Sequence, residues 1–281
     1  MKVNTFIVGA PKAGTTSLHH YLSQHDEACM STIKEPNRFS SQEVSSLFYN
    51  ALCVDDNEAY QNLFSEKKSI MGEASVSYLF YDKVPSRIKA YNPDAKIIIM
   101  LRNPVERAFS HYLMDCRLGF CSLTLEEILA NPQKHTAYFQ QYLEVGKYYS
   151  QVQRYLTTFG DKQVKIILYE DFKNNTQNEM SRLFAFLNIH SQSIDYSVQN
   201  PFLAPSNALI ATLYKVNWIR KGMKYISPIK LVRSIKARFF SSQSKPKLSD
   251  ETQEKLKAYF KNDIILLEKL LTIDLSRWKI N

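Results

Sequence analysis

The sequence predicts a single α/β domain: a P-loop-like parallel sheet flanked by helices. Three observations carry this expectation. Short apolar segments alternate with amphipathic ones along the chain, as in strands joined by helical crossovers. Lys96–Leu101 (KIIIML) is the strongest strand, and its nearly unbroken apolar character suits a strand covered on both faces. The first apolar segment runs directly into a loop bounded by Gly9 and Gly14, and a helical pattern begins at Thr15.

Taken in order, Lys2–Gly9 (KVNTFIVG) reads as the first strand and Gly9–Gly14 as the loop that leaves it. Thr15–Gln24 sets Leu18, Tyr21 and Leu22 on one helical face. Ala28–Thr32 is a second strand, Asp55–Phe64 a helix, Ile70–Ala74 a further strand and Val84–Tyr91 another helix. After Lys96–Leu101, Pro104 opens a helix reaching about Arg117, proline being favoured at the first helical position. A helix at Tyr149–Thr158, a strand at Val164–Tyr169 and a helix at Asn174–Leu187 continue the alternation. The stretch 201–246 is basic, is broken by Pro205, Pro228 and Pro246, and contains the run Ser241-Ser242-Gln243-Ser244. It is expected to be a lid-like mobile segment within one domain spanning 1–281. Ser249 then caps a final amphipathic helix, or a pair of helices, running to about Leu271.

Lys and Arg total 36 against 27 Asp and Glu, a net charge of +9. That excess favours an anionic partner without choosing among a small anion, an acidic polymer and a membrane surface. No recognised nucleic-acid module or aromatic-basic signature is present, so nucleic acid is not expected. The cysteines Cys29, Cys53, Cys116 and Cys121 lack metal-knuckle spacing, and Cys116 and Cys121 are expected to stay reduced. No apolar run approaches the roughly 20 residues of a membrane span. Because Val3–Gly9 already reads as the first strand, a cytoplasmic protein is expected, with peripheral membrane contact open to its basic surface.

The loop Gly9-Ala10-Pro11-Lys12-Ala13-Gly14-Thr15-Thr16-Ser17 sits where a strand hands over to a helix. That position aims backbone N–H groups and the positive end of the helix dipole at an anion, with hydroxyls available from Thr15, Thr16 and Ser17. A nucleotide kinase would need G-x-x-x-x-G-K-S/T. Here Thr15 follows the second glycine, the lysine lies inside the loop at Lys12, and the Lys96–Leu101 strand ends in Arg102 where an acidic metal residue would stand. A magnesium-nucleotide site is therefore disfavoured, and no metal ligand set is expected. His19, His20 and His25 read as surface or packing residues. Arg102, at a strand's carboxyl end, and Ser110, about two helical turns on, are placed to hold a phosphate.

These segments resemble the PAPS-dependent sulfotransferases, of the bacterial type related to the Golgi carbohydrate and heparan enzymes. The first loop is similar to their P-K-x-G-T-T/S segment, and Lys96–Tyr112 (KIIIMLRNPVERAFSHY) to L-R-N/D-P-x-x-R-x-x-S-x-Y. Tyr169-Glu170-Asp171-Phe172 and Leu275-Ser276-Arg277-Trp278 also match, so the resemblance spans nearly the whole chain. It implies 3′-phosphoadenosine-5′-phosphosulfate (PAPS) as co-substrate, PAP as product, and a hydroxyl or amine acceptor, with a carbohydrate favoured. It places Lys12 on the bridging oxygen of the phosphosulfate and Pro11–Ser17 around its 5′ end. Arg102 and Ser110 fall on the 3′-phosphate, and Arg107 is structural. Lys34-Glu35-Pro36-Asn37-Arg38-Phe39 is similar to K-E-P-x-x-F, which makes Glu35 the first candidate base and Glu73 the second. The family's E-K-S/T-P lysine falls on Ala74 here, and its K-G-R loop on Ser242–Lys247, leaving Lys245 and Lys247 as candidate substitutes. A polyanion-binding protein using Lys215–Arg238 is the alternative from another class.

Overall fold

Five parallel strands pair in the order β2-β3-β1-β4-β5: β1 (Thr5–Gly9), β2 (Ala28–Met30), β3 (Ile70–Ala74), β4 (Lys96–Leu101) and β5 (Val164–Leu168). The structure, a computed structural model, describes residues 2–45, 51–197, 204–205, 240–241 and 246–280. The helices are α1 (Thr15–Leu22), α2 (Ser41–Val44), α3 (Asn57–Gln61), α4 (Val84–Tyr91), α5 (Pro104–Leu118) and α6 (Leu125–Ala130). They continue with α7 (Thr136–Tyr142), α8 (Tyr148–Phe159), α9 (Tyr169–Asn174), α10 (Thr176–Leu187), α11 (Asp250–Leu271) and α12 (Ser276–Ile280). Within 201–246, Ala204–Pro205 and Phe240–Ser241 form a short antiparallel pair. The rest of the expected lid, apart from Pro246, lies outside the described residues, as do the basic stretch Lys215–Arg238 and Lys245.

The sheet's central strands are buried on both faces. Every residue of β1 is buried, and Ile97–Leu101 in β4 are 0% exposed. This accounts for the continuous apolar run of β4 and confirms an α/β sheet enclosed by helices. From β1 the chain crosses through α1 to the far edge at β2, returns to β3, and then passes over β1 to β4. The crossovers diverge between β1 and β4, so a crevice opens at the carboxyl ends of these two strands.

Element ends differ from expectation where local caps intervene. Asp56 accepts a hydrogen bond from the Ala59 amide at 2.7 Å and starts α3 two residues later than the pattern suggested. The expected strand ending at Tyr169 stops at Leu168 because Tyr169 begins α9. Asn175 then breaks the helical path and caps α10 through the Asn178 amide at 3.2 Å. Among the described residues no helix is long and apolar enough to cross a membrane. All four cysteines carry free thiols, Cys116 and Cys121 included.

Candidate active site

The loop leaving β1 and the residue leaving β4 are tied together. The Ala10 amide donates to the Met100 carbonyl at 2.6 Å, and Arg102 Nη1 donates to the Lys12 carbonyl at 3.1 Å. Lys12 and Gly14 adopt φ 67° and 90°, so the loop turns twice through left-handed backbone. At Gly14 a Cβ would lie 3.0 Å from the Tyr169 ring, so only glycine lets the backbone rest on that ring while holding its conformation. Gly14 caps α1 without any side-chain hydrogen bond. The amides of Thr15, Thr16 and Ser17, the orphan donors of a first turn, are thus left for an anion. Ala13 and Thr15 are buried, whereas Pro11, Lys12, Thr16 and Ser17 are half-buried at the crevice.

Arg102 is held on three sides. Its guanidinium lies 4.7 Å from the Tyr169 ring centroid, Nη2 pairs with Glu106 at 3.1 Å, and the Tyr148 hydroxyl donates to its carbonyl at 3.0 Å. Ser110, on α5, is half-buried. One helical turn further, Met114 Sδ sits 3.3 Å from Lys12 Nζ. Burial lowers the Lys12 pKa to about 8, with Arg117 and Arg102 pushing the same way and Asp115 and Glu35 partly opposing. Burial also raises Asp115 to about 6, although the Tyr142 hydroxyl donates to it at 2.9 Å. The crevice is therefore rich in cations held close together, and an anionic ligand would relieve their repulsion.

Arg107 is spent on the interior. It is wholly buried and donates from Nη2 to the Tyr142 carbonyl at 2.5 Å, with Nη1 3.3 Å from His111 Nδ1. His111 is thereby fixed in the core, where it is buried. Two separately noted segments meet under the site. Glu170 accepts from the Asn103 amide at 2.9 Å and from Trp278 Nε1 at 3.3 Å. Asp171 receives both Arg277 nitrogens at 2.5 and 2.8 Å. The carboxyl end of β4 is thus braced by the last helix.

Glu35 and Glu73 have opposite environments. Glu35 has φ 64°, its amide donates to the Ala74 carbonyl at 2.8 Å, and its carboxylate pairs with Lys34. Its side chain keeps 40% exposure. Glu73, on β3, is 0% exposed and accepts from Tyr60 at 2.7 Å, Tyr78 at 3.0 Å and Ser75 at 2.9 Å. Burial raises its pKa to about 7, against the pull of those three hydroxyls. Lys247 is exposed ahead of α11. The sequence reading missed Met114, Asp115, Arg117 and Tyr169. Ser110, Met114 and Arg117 stand at i, i+4 and i+7, a helical face that could have been read from Ser110 onward.

A family model described as the sulfotransferase domain matches residues 2–269. Carbohydrate sulfotransferase 15 of Mus musculus is 28% identical over 246 residues, covering 66% of this chain and 43% of its own. The human bifunctional heparan sulfate N-deacetylase/N-sulfotransferase 2 is 27% identical over 278 residues, covering 95% of this chain and 29% of its own. The chain thus spans less than half the length of these curated relatives. A solved sulfotransferase from Alicyclobacillus acidocaldarius superposes with TM-score 0.77 at 32% identity, covering 99% of both chains.

Proposed function

We propose that this chain, which belongs to the sulfotransferase domain family, transfers the sulfuryl group of PAPS to a hydroxyl or amine acceptor and releases PAP. One observation carries the reading: Arg102, at the end of β4, is bonded to the Lys12 carbonyl in the loop after β1. Two anion-holding elements so joined suit a ligand with phosphates at both ends. Pro11–Ser17 take the 5′ end, and Arg102 with Ser110 takes the 3′-phosphate. Lys12 donates to the oxygen bridging phosphorus and sulfur. Glu35 takes the acceptor proton as the acceptor oxygen or nitrogen bonds to sulfur. The bond from sulfur to the bridging oxygen breaks, and its electron pair stays on the phosphate of PAP. The carbohydrate and heparan sulfate sulfotransferases among its relatives support a carbohydrate acceptor.

Calorimetric titration with PAP tests the donor site. Charge-assisted hydrogen bonds contribute about 1.5–3 kcal/mol. Arg102→Gln should therefore weaken PAP at least roughly tenfold, 1.4 kcal/mol being one decade, and adenosine 5′-phosphate far less. Equal loss for both ligands would remove Arg102 from the 3′ end.

A pH series addresses Lys12. Its ammonium begins to lose its proton near pH 8 in the free protein, while a bound anion would hold the proton on. PAP affinity is expected to fall about tenfold between pH 7 and pH 9. Lys12→Arg should flatten that decline, because a guanidinium stays charged throughout. In the empty protein the sign is reversed. The unfolded chain keeps the lysine proton more tightly, so stability linked to Lys12 rises with pH from about 8 to 10.5. A PAP affinity constant from pH 7 to 9 in the wild type would exclude Lys12 from the contact.

A further inference from the structure

Away from this crevice, the turn between α1 and β2 meets the chain leaving α10. His25, Asp26, Glu27 and His190 each bring a ligand atom within 4.8 Å of the others. Their hydrogen bonds fix where the protons lie. His25 Nε2 stands 2.9 Å from the His190 carbonyl oxygen, which can only accept, so Nε2 carries the proton and Nδ1 presents a lone pair. His190 Nδ1 stands 2.6 Å from Glu27 Oε2, so in the neutral ring its Nε2 presents a lone pair. Both lone-pair nitrogens face the same atom: Asp26 Oδ1 lies 3.3 Å from His25 Nδ1 and 3.4 Å from His190 Nε2. Three acceptors converge; among the described residues the Glu27 amide donates to His25 Nδ1 at 3.1 Å, a hydrogen bond that an ion would displace.

Ligands about 2.0–2.1 Å from a tetrahedral zinc ion stand about 3.3 Å apart, which is the spacing around Asp26 Oδ1. We propose that His25 Nδ1, Asp26 Oδ1 and His190 Nε2 bind a divalent ion of the zinc class. Glu27 orients His190 through its Nδ1–H, as carboxylates behind metal-bound imidazoles do. Two imidazoles and one carboxylate select Zn²⁺ or Co²⁺ over Mg²⁺ or Ca²⁺. The ligands are mounted on bonded backbone: the Asp26 amide donates to Gln192 Oε1 at 3.0 Å, and the His190 amide to Glu27 Oε2 at 3.0 Å. The His25 ring is buried edge-on against Phe184, with centroids 4.8 Å apart. His25 follows the C-terminal end of α1, whereas the anion loop occupies the N-terminal end, so the ion would staple α1 to the chain after α10 and take no part in transfer. Sequence spacing could not show this, because His25 and His190 are 165 residues apart.

Metal-stripped protein titrated with Zn²⁺ by calorimetry, and with Co²⁺ by visible absorption, tests the site. One ion per chain is expected at micromolar affinity or tighter, with a raised melting temperature and no response to Mg²⁺. His190→Ala should weaken Zn²⁺ by about 100-fold, and Glu27→Gln by about 10–100-fold. Asp26→Asn replaces a well-exposed group and should also lose Zn²⁺ binding, which keeps the test decisive if His190→Ala fails to fold. Sulfuryl transfer should run at the same rate with Zn²⁺ or with excess chelator. Unchanged Zn²⁺ affinity in folded His190→Ala and Asp26→Asn overturns the proposal. So does a wild type that does not bind Zn²⁺ or Co²⁺.

Discussion

Lys12→Ala is expected to lower kcat by about 10²–10³-fold, the usual cost of removing a preorganised donor from a developing negative charge. The charge builds on the bridging oxygen only as sulfur departs, so the loss should appear mainly in kcat, with a smaller effect on PAP affinity. Folding is not the confounder. Lys12 already occupies left-handed backbone at φ 67°, and alanine bears the same steric cost there. The ammonium is also held against burial and against Arg117 and Arg102, which is why its pKa falls to about 8. Removing it should leave the melting temperature of the empty protein unchanged or raise it. A less active but no less stable variant is the expected pairing. A kcat within threefold of wild type would take Lys12 out of the transition state.

Legibility in the sequence followed how local each cause is. All five strands were legible, β1 and β4 most plainly because burial on two faces demands apolar runs, and α5 was legible because Pro104 starts it. Helices α6 and α7 passed unread, although Thr124 and Glu127 form a reciprocal cap at the start of α6. Strand order was out of reach, since which neighbours β1 takes depends on crossovers of whole helices. The anion loop was readable because strand, glycines, lysine and helix are contiguous. The bracing beneath it was not: Glu170 with Trp278 and Asp171 with Arg277 pair across more than a hundred residues. Glu73 carried no sign of its fate either. Its oxygens are taken by Ser75 and Tyr78 just after it in the chain and by Tyr60 arriving from α3, a closure that only the fold brings about.

Glu35→Gln is expected to lower kcat by about 10²-fold or more while leaving PAP affinity nearly unchanged. The amide keeps the size and most hydrogen bonding of the carboxylate but cannot take a proton at neutral pH. Glu35 suits that task because it is open to an incoming acceptor, with 40% of its side chain exposed. It is also close enough to Lys12 to bolster that ammonium's charge. Its backbone is pinned: its amide donates to Ala74, and Asn37 Nδ2 donates back to the Glu35 carbonyl at 3.0 Å. Glu73 suits the task poorly, since three hydroxyls occupy its oxygens and none of its surface is exposed. Glu73→Gln sets a donor group among donors, and leaving buried polar groups ill-matched costs about 1–3 kcal/mol. The melting temperature should fall, while the rate per folded molecule stays close to wild type. A second signature separates Glu73 from Glu35. Its pKa rises from 4.5 to about 7 on folding, so the folded chain holds that proton more tightly. Stability linked to it is full below about 4.5 and is lost as pH climbs through about 7. Glu73→Gln should remove the part of that slope nearest pH 7 from a melting-temperature profile, above the range where Asp115 contributes, and Glu35→Gln should leave it in place. Measuring kcat, PAP affinity and melting temperature on both variants decides the assignment: if Glu35→Gln turns over normally and Glu73→Gln is folded but inactive, Glu73 is the base.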